Sequence, residues 1–236
     1  MSPVASTEID LLKAAAAEAA ASWVEDGQVV GLGSGSTALC AVGFLGQRVS
    51  DGLRIVGIPT SERTAREARR VGIPLSTLAE HDHIDVTVDG ADEVDAGTLN
   101  LLKGRGGALL REKIVASMSE RLIVVVDQTK LVERLGSQAP LPVEIVPFGW
   151  QATAKKLQGL GASVALRATA EKQPFVTDGG HYILDCAFGP IDDPERLQGQ
   201  LDRMTGVVEH GLFLGFGPRV LVGGPRGVQL LDSTRR

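Results

Sequence analysis

The sequence has 236 residues, 43% of them hydrophobic and 22% charged, a composition typical of a globular protein with a well-buried core. A formal net charge of −5 at pH 7 argues against general binding of nucleic acid, whose phosphates attract basic surfaces. Cys40 and Cys186 are too few for a disulfide framework or a four-ligand zinc site, and we interpret them as buried thiols in a reducing compartment.

The N-terminal segment predicts a helix and no targeting signal. Glu8, Asp10 and Glu18 interrupt its alanine-rich stretch, whereas a signal peptide needs a basic start and an unbroken apolar segment. No apolar run in the sequence approaches the roughly 18 residues that a membrane span requires. We therefore expect a surface helix over residues 7–24 and a cytoplasmic protein that does not bind membranes.

Apolar runs alternate with helical segments through the first half of the chain. The predicted elements are strands at 28–32, 53–58, 84–89 and 122–127, with helices at 38–49, 61–71 and 108–119. Such alternation indicates βαβ units. The first half therefore predicts an α/β fold around an open, mostly parallel sheet flanked by helices.

The pattern changes after Pro140-Leu-Pro142. The predicted elements there are a helix at 149–160, a strand at 163–167, a hairpin around residues 178–180 and a helix at 194–204, while a strand at 220–223 can return to the main sheet. This order indicates a small α+β unit. We expect two domains, residues 1–130 with 206–236 and residues 131–205.

A glycine- and hydroxyl-rich segment, Gly31-Leu-Gly-Ser-Gly-Ser-Thr37, joins a predicted strand to a predicted helix. Its backbone N–H groups, its hydroxyls and the helix N-terminus favour a phosphate. It is not a dinucleotide fingerprint, because the last glycine is absent, and it is not a Walker loop, because no Gly-Lys-Ser/Thr follows. The alternative is a tight turn in which Ser36 or Thr37 caps the helix.

A second polar segment, Asp89-Gly90-Ala91-Asp92, comes directly off a predicted strand. Ligands of open parallel sheets bind at the carboxyl ends of strands, so these carboxylates are candidate site residues. The alternative is a solvated acidic turn. Glu93 and Asp95 add oxygen donors, so a metal site is a further alternative. The EF-hand pattern fails because Ala91 occupies a ligand position and the loop lacks its glycine.

The third segment runs from Lys103 through a Gly-Arg-Gly-Gly turn to Glu112. A carboxylate can act as a general base, and an ammonium can stabilise the anion that forms, so the pair indicates proton transfer on a small polar molecule. The alternative places Glu112 near a helix N-terminus and Lys103 in an exposed loop. Polar or glycine-rich loops follow predicted strands three times in this half of the chain, and that recurrence favours a site.

The sequence resembles type A ribose-5-phosphate isomerases in four segments that keep the family's order and spacing, and the resemblance runs from about Leu11 to Val228. The segments are residues 31–37, 88–93, 103–113 and 141–147. The resemblance implies a Rossmann-like sheet domain with a smaller ferredoxin-like α+β domain. It also implies interconversion of D-ribose 5-phosphate and D-ribulose 5-phosphate in the pentose phosphate pathway, without metal or organic cofactor, by a homodimer or homotetramer.

The resemblance also implies a role for each matched residue. Glu112 would carry a proton between C2 and C1, while Lys103 and the N–H groups of residues 104–107 would stabilise the enediolate oxygen. Asp89 and Asp92 would bind sugar hydroxyls and transfer protons between O1 and O2 and during ring opening, in an order that the sequence leaves open. The implied substrate-binding residues are Ser34, Gly35, Ser36, Thr37, Gly90, Ala91, Gly104, Arg105, Gly106, Lys130 and Lys13.

The chain departs from the family pattern at three places. Ser34 stands where threonine is usual, Arg105 replaces a frequent glycine, and residues 178–181 differ from the usual turn. None of these changes removes a chemical group that the implied mechanism needs. Arg105 either adds positive charge beside the substrate or faces solvent.

Three other functions fit the sequence less well than the isomerase. A sugar-phosphate-sensing regulatory domain would need a preceding helix-turn-helix, for which the roughly 25 residues before the first predicted strand are too few. An acyl-CoA transferase would need a larger chain and a glutamate that ends a strand. A nicotinamide-dependent oxidoreductase would need the missing glycine and an acidic residue for the ribose.

Overall fold

The computed structural model of the chain describes residues 3–232, with side chains from Glu8 onward. The chain forms two compact units. Unit 1 takes the chain up to Ala91, residues 111–131 and the chain from Phe216 onward, and unit 2 takes residues 92–110 and 132–215. These ranges differ from the predicted domains at residues 92–110, 131 and 206–215. The predicted domain bounds remain a prediction.

Residues 3–232 form helices and strands with the following bounds. The helices are α1 Pro3–Ser22, α2 Ser36–Ser50, α3 Glu62–Arg70, α4 Leu109–Ser117, α5 Trp150–Gly159 and α6 Pro194–Leu201, with a 3-10 turn at Gln128–Lys130. The strands are β1 Val29–Leu32, β2 Val56–Pro59, β3 Val86–Gly90, β4 Glu93–Asp95, β5 Leu101–Leu102, β6 Leu122–Asp127, β7 Leu131–Val132, β8 Leu141–Ile145, β9 Ser163–Leu166, β10 Tyr182–Ala187, β11 Val207–His210, β12 Leu212–Phe213, β13 Arg219–Gly224 and β14 Gly227–Asp232.

Unit 1 is built on a six-stranded sheet with the order β14-β13-β6-β3-β1-β2. Neighbouring strands are parallel from β2 to β13, and only the β13–β14 hairpin is antiparallel. The predicted open, mostly parallel sheet is therefore confirmed, as is the return of residues 220–223 to it beside β6. The last strand, β14, was not predicted.

Helix α1 packs on the sheet of unit 1 through a face of small residues. Ala16, Ala17, Ala20 and Ala21 are all fully buried, and they belong to the same apolar core as the central strands. Gly223 of β13 completes this contact, because a Cβ there would collide with the backbone of Leu12. Small side chains on both elements thus let a helix backbone approach a strand closely. Among the described residues, no helix is both long and apolar enough to span a membrane.

Unit 2 contains a ferredoxin-like arrangement, which confirms the prediction. Its elements run β8-α5-β9-β10-α6-β11, and the four strands form an antiparallel sheet with the order β11-β8-β10-β9. The predicted hairpin is wider than expected, since its paired strands are β9 and β10, and residues 178–180 form only a turn near the start of β10. A second small sheet has the order β12-β5-β4-β7.

The two cysteines differ in exposure. Cys186 is buried, as expected, whereas Cys40 is only half-buried, and neither forms a disulfide. Burial, with a smaller contribution from the neighbouring Asp185, raises the pKa of the Cys186 thiol to about 12. Because the thiolate is the nucleophile, Cys186 is protonated and shielded at neutral pH.

Cys40 is therefore expected to be alkylated before Cys186 when the folded protein reacts with iodoacetamide near pH 8. Peptide mass spectrometry of timed samples measures the order directly. A denatured sample, in which both thiols react, is the control. Earlier modification of Cys186 in the folded protein would contradict its placement in the core of unit 2.

Candidate active-site residues

Three loops of unit 1 leave the same edge of its sheet. The strands β2, β1 and β3 are parallel neighbours, so the loops after Pro59, Leu32 and Gly90 all begin at their carboxyl ends. This edge is where open α/β sheets bind ligands. The structure thus brings the loop of residues 34–37 together with Asp89, as the strand pattern predicts.

Asp89 is a fixed, buried acceptor. Its side chain is 1% exposed, and Oδ1 accepts the N–H groups of Ser34 at 3.1 Å and Gly90 at 2.7 Å. Gly33 makes the approach to this carboxylate sterically feasible, since a Cβ on Gly33 would collide with Asp89. The solvated acidic turn considered from the sequence is therefore wrong for Asp89. Ala91, half-buried, is the last residue of this segment of unit 1.

The N-terminus of α2 has no side-chain cap. The N-cap residue is Gly35, whose φ of +90° lies in the left-handed region that favours glycine, and no side chain caps the helix. The interpretation of Ser36 or Thr37 as the N-cap is therefore wrong, because both lie inside the first turn. An uncapped helix start next to two hydroxyls favours an anion.

The Ser34 hydroxyl joins a cluster of hydroxyl groups that sequence reasoning missed. Its Oγ lies 2.7 Å from Thr60 Oγ1, 2.9 Å from Ser61 Oγ and 3.2 Å from Thr64 Oγ1. Ser61 also caps α3 by accepting the N–H of Thr64 at 3.1 Å. The cluster holds the loop after β1 against the loop after β2. The available signal was the Thr-Ser pair that follows Pro59, one residue beyond the predicted second strand.

Glu112 lies in the first turn of α4 and is 4% exposed. Two nearby residues of the same helix are more exposed than Glu112. Arg111 pairs with Glu62 at 3.0 Å, and Ile114 is 44% exposed. Burying a carboxylate costs free energy unless its surroundings compensate, so a buried Glu112 is a stronger functional candidate than a residue of a solvated helix face.

Two lysines that were predicted to bind substrate lie on different elements of unit 1. Lys130 ends the 3-10 turn after β6, which Asp127 caps by accepting the N–H of Thr129 at 2.9 Å. The strand β6 is a parallel neighbour of β3, so Lys130 follows the carboxyl end of a strand at the same edge of the sheet as Asp89. Lys13 lies on α1, with Asp10 4.0 Å from its Nζ. Contact of either lysine with substrate remains a prediction.

Lys103 of unit 2 is not an exposed loop residue. It follows β5 directly, is 4% exposed, and donates its N–H to the carbonyl of Gly211 at 2.9 Å. Its Nζ lies 5.5 Å from the centroid of the Phe213 ring. A cation is attracted to the face of an aromatic ring, so Phe213 is an interaction partner of the Lys103 side chain.

In the glycine loop of residues 104–107, only some of the backbone N–H groups donate a hydrogen bond within the protein. Gly107 donates to the carbonyl of Gly104 at 3.0 Å, and Arg105 donates to Asp92 Oδ2 at 2.9 Å. Within residues 3–232, the N–H groups of Gly104 and Gly106 have no hydrogen-bond acceptor. The expected set of four backbone donors for an oxyanion is thereby reduced to these two. The side chain of Arg105 is exposed.

The remaining carboxylates of the second motif hold backbone turns. Buried Glu93 accepts N–H groups from residues 136, 138 and 139 at 2.5–2.7 Å, and Asp95 accepts those of Gly97 and Thr98 at 2.7 and 3.0 Å. No group of three metal-ligating side chains lies together in the part of the chain that the structure describes. Glu93 and Asp95 are therefore used to hold backbone turns of unit 2.

Comparison with known proteins identifies close relatives over nearly the whole chain. Residues 56–227 match the family model described as ribose 5-phosphate isomerase A (phosphoriboisomerase A). The chain is 62% identical over 227 residues to ribose-5-phosphate isomerase A of Gloeobacter violaceus, covering 96% of this chain and 98% of the relative. It is 53% identical to that of Synechococcus sp. strain JA-3-3Ab, covering 95% and 98%.

Solved structures agree with the sequence relatives. One is a D-ribose-5-phosphate isomerase in complex with phospho-erythronic acid, with a TM-score of 0.92, 40% identity, and coverage of 95% of this chain and 99% of that one. Another is ribose 5-phosphate isomerase A of Methanocaldococcus jannaschii, with a TM-score of 0.90, 40% identity, and coverage of 94% and 98%. The similarity therefore extends over both units.

Proposed function

Because the chain belongs to the ribose 5-phosphate isomerase A family, we propose that it interconverts D-ribose 5-phosphate and D-ribulose 5-phosphate through an enediolate intermediate. The observation that carries the proposal is the burial of three ionisable side chains in the matched motifs. Glu112, Asp89 and Lys103 are each no more than 4% exposed. The proposal includes a place in the pentose phosphate pathway of the cytoplasm and a homodimeric or homotetrameric assembly.

In this proposal, Glu112 transfers the proton between C2 and C1. In the open-chain aldose, Glu112 takes the proton from C2, the C–H electron pair forms a C1–C2 double bond, and the carbonyl pair moves onto O1. A proton then passes from O2 to O1. The C1–C2 pair takes the proton back from Glu112 at C1, which leaves a carbonyl at C2. A carboxylate held near this path can serve as base and then as acid.

Stabilisation of the enediolate oxygen is assigned to unit 2. A proton next to an aldehyde is weakly acidic, so the negative charge on oxygen must be stabilised as it forms. The ammonium of Lys103 and the N–H groups of Gly104 and Gly106 supply positive charge and hydrogen bonds. The carboxylates of Asp89 and Asp92, each fixed by backbone N–H groups, bind sugar hydroxyls and transfer the proton between O2 and O1.

Binding of the phosphate is assigned to the loop of residues 34–37. The left-handed Gly35, the uncapped start of α2 and the hydroxyls of Ser36 and Thr37 together favour a dianion. Lys13 and Lys130 add positive charge. The Ser34 side chain fixes the loop through Thr60, so its expected part in binding is to hold the backbone in place.

The purified protein is expected to convert ribose 5-phosphate to ribulose 5-phosphate in EDTA, as followed by NMR. In deuterium oxide, deuterium at C1 of the ketose would support transfer through an exchangeable base. A protein that binds the sugar phosphate but does not convert it would favour the sensing domain over the isomerase. Activity lost on chelation and restored by a divalent metal would contradict the metal-free mechanism.

A further inference from the structure

We propose that Arg167 is a positioning residue, which orients the glycine loop of residues 104–107 for stabilisation of the enediolate. This inference rests on the proposed isomerase function. None of the four sequence motifs contains Arg167, which lies just beyond β9 in unit 2. Its side chain is 14% exposed, and its donors are shared between one carboxylate and the backbone of the loop.

The guanidinium is anchored on one side and donates to the loop on the other. Its Nε donates to Asp185 Oδ2 at 3.0 Å, and its Nη2 donates to Asp185 Oδ1. Its Nη1 donates to the carbonyl oxygens of Gly104 at 2.8 Å and Arg105 at 3.1 Å. The planar fork of arginine allows this bidentate pairing with a second direction of donation, which lysine cannot reproduce.

The two carbonyls belong to peptide units whose N–H groups have roles in the proposed mechanism. A trans peptide points its N–H opposite to its C=O, so fixing the carbonyl also fixes the donor. The Gly104 carbonyl shares its peptide with the Arg105 N–H, which donates to Asp92. The Arg105 carbonyl shares its peptide with the Gly106 N–H, one of the two loop donors without an acceptor. Arg167 therefore orients one donor that holds Asp92 and one proposed for the enediolate oxygen.

Phe175 completes the support of the loop. The guanidinium carbon lies 6.0 Å from the centroid of its ring, and the Phe175 N–H donates to the Arg167 carbonyl at 2.9 Å. A Cβ at Gly107, where φ is +81°, would collide with the same ring. The loop thus packs on Phe175 and is held by Arg167, so two side chains restrict the backbone of a glycine-rich segment.

The contacts of Arg167 are expected to affect turnover because they hold the loop N–H donors in place before the reaction begins. Donors that must reorient during the reaction stabilise the developing charge less, and misplacement by about 1 Å can cost about a hundredfold in rate. The Arg167–Asp185 pair is largely buried, so loss of the guanidinium leaves Asp185 without its partner and also lowers the folding free energy. The effect on catalysis is therefore measured on variants whose melting temperature shows that they are folded.

The test is Arg167→Met in the full-length enzyme, with Arg134→Met as the matched control. Arg134 forms an exposed pair with Asp192 in the same unit and no hydrogen bond to residues 104–107. We expect kcat for ribose 5-phosphate to fall at least about tenfold in Arg167→Met, with KM changed less than about threefold, as for an interaction used in the transition state. Guanidinium ion added to Arg167→Ala should restore part of kcat.

Amide hydrogen exchange gives a second readout that does not need activity. Exchange of the loop amides should be faster in Arg167→Met than in wild type or Arg134→Met, while amides of the sheet core keep their rates. Should the methionine variant not fold, Arg167→Lys and Asp185→Asn provide the same two measurements. Wild-type turnover, measured first, separates failure of the isomerase assignment from failure of this inference.

Three results would overturn the role of Arg167. One is a kcat within about twofold of wild type in the folded variants, far less than a misplaced loop predicts. Another is an increase confined to KM, which would make the loop a binding element only. The third is unchanged exchange of the loop amides, which would show that the loop keeps its orientation without the guanidinium.

Discussion

Glu112→Gln is expected to lower the turnover of ribose 5-phosphate by about a hundredfold or more, the scale for loss of a general base. The amide has nearly the size of the carboxylate but cannot accept the C2 proton. Because Glu112 is buried in the first turn of α4, an isosteric change keeps the packing. Initial rates in EDTA measure the effect, and deuterium exchange into the substrate at C2 should be lost in parallel.

A matched control for Glu112 lies in the same unit. Glu62 is 58% exposed in its side chain and pairs with Arg111, the residue before Glu112 in the sequence. Glu62→Gln removes a carboxylate of the same type but is expected to leave kcat within about twofold, as for most surface substitutions. Binding of ribose 5-phosphate should survive in both variants. Turnover by Glu112→Gln within tenfold of wild type would exclude Glu112 as the base.

Lys103→Met should have the second largest effect, a fall in kcat of about a hundredfold to a thousandfold, the range for loss of one preorganised oxyanion donor. Methionine keeps an apolar stem against Phe213 and removes only the charge and its hydrogen bonds. Because the enediolate forms after binding, KM should change far less than kcat. Steady-state kinetics with melting temperatures distinguish this result from loss of folding.

Lys156→Met is the control for the lysine. Lys156 lies in the same unit, on α5, where its ammonium donates to the carbonyl of Thr205 at 3.3 Å at an exposed position. It carries the same charge away from the matched motifs, so its removal should leave kcat unchanged. A kcat for Lys103→Met equal to that of Lys156→Met would contradict stabilisation of the enediolate by the ammonium.

Local patterns in the sequence were sufficient for much of the fold. Four buried strands and their helices in the first half were predicted within a few residues, because apolar runs of that length bounded by glycine or polar turns are distinctive. The strands that were not predicted are β4, β5, β7, β8, β11, β12 and β14. The two-residue strands β5, β7 and β12 are too short to show periodicity, and β14 is defined mainly by its pairing with β13.

Local patterns also identified where the candidate site residues lie, but not how each is used. The motif at Asp89 gave two hypotheses, a site and a solvated turn, and only burial under the loop of Gly33 decided between them. The helix cap was placed on Ser36 or Thr37, because side-chain caps are the common solution, whereas the backbone uses a left-handed Gly35.

Residue types at fixed short spacings were enough to predict the class of fold and the family, and to nominate the residues of the proposed chemistry. Which side chains and backbone groups form hydrogen bonds with each other depends on the tertiary structure. Arg167 donates to the Gly104 carbonyl from 63 residues away, and Ser34 meets Thr60 from 26 residues away. Such contacts arise because strand order brings distant loops to one place, and no local pattern encodes that order.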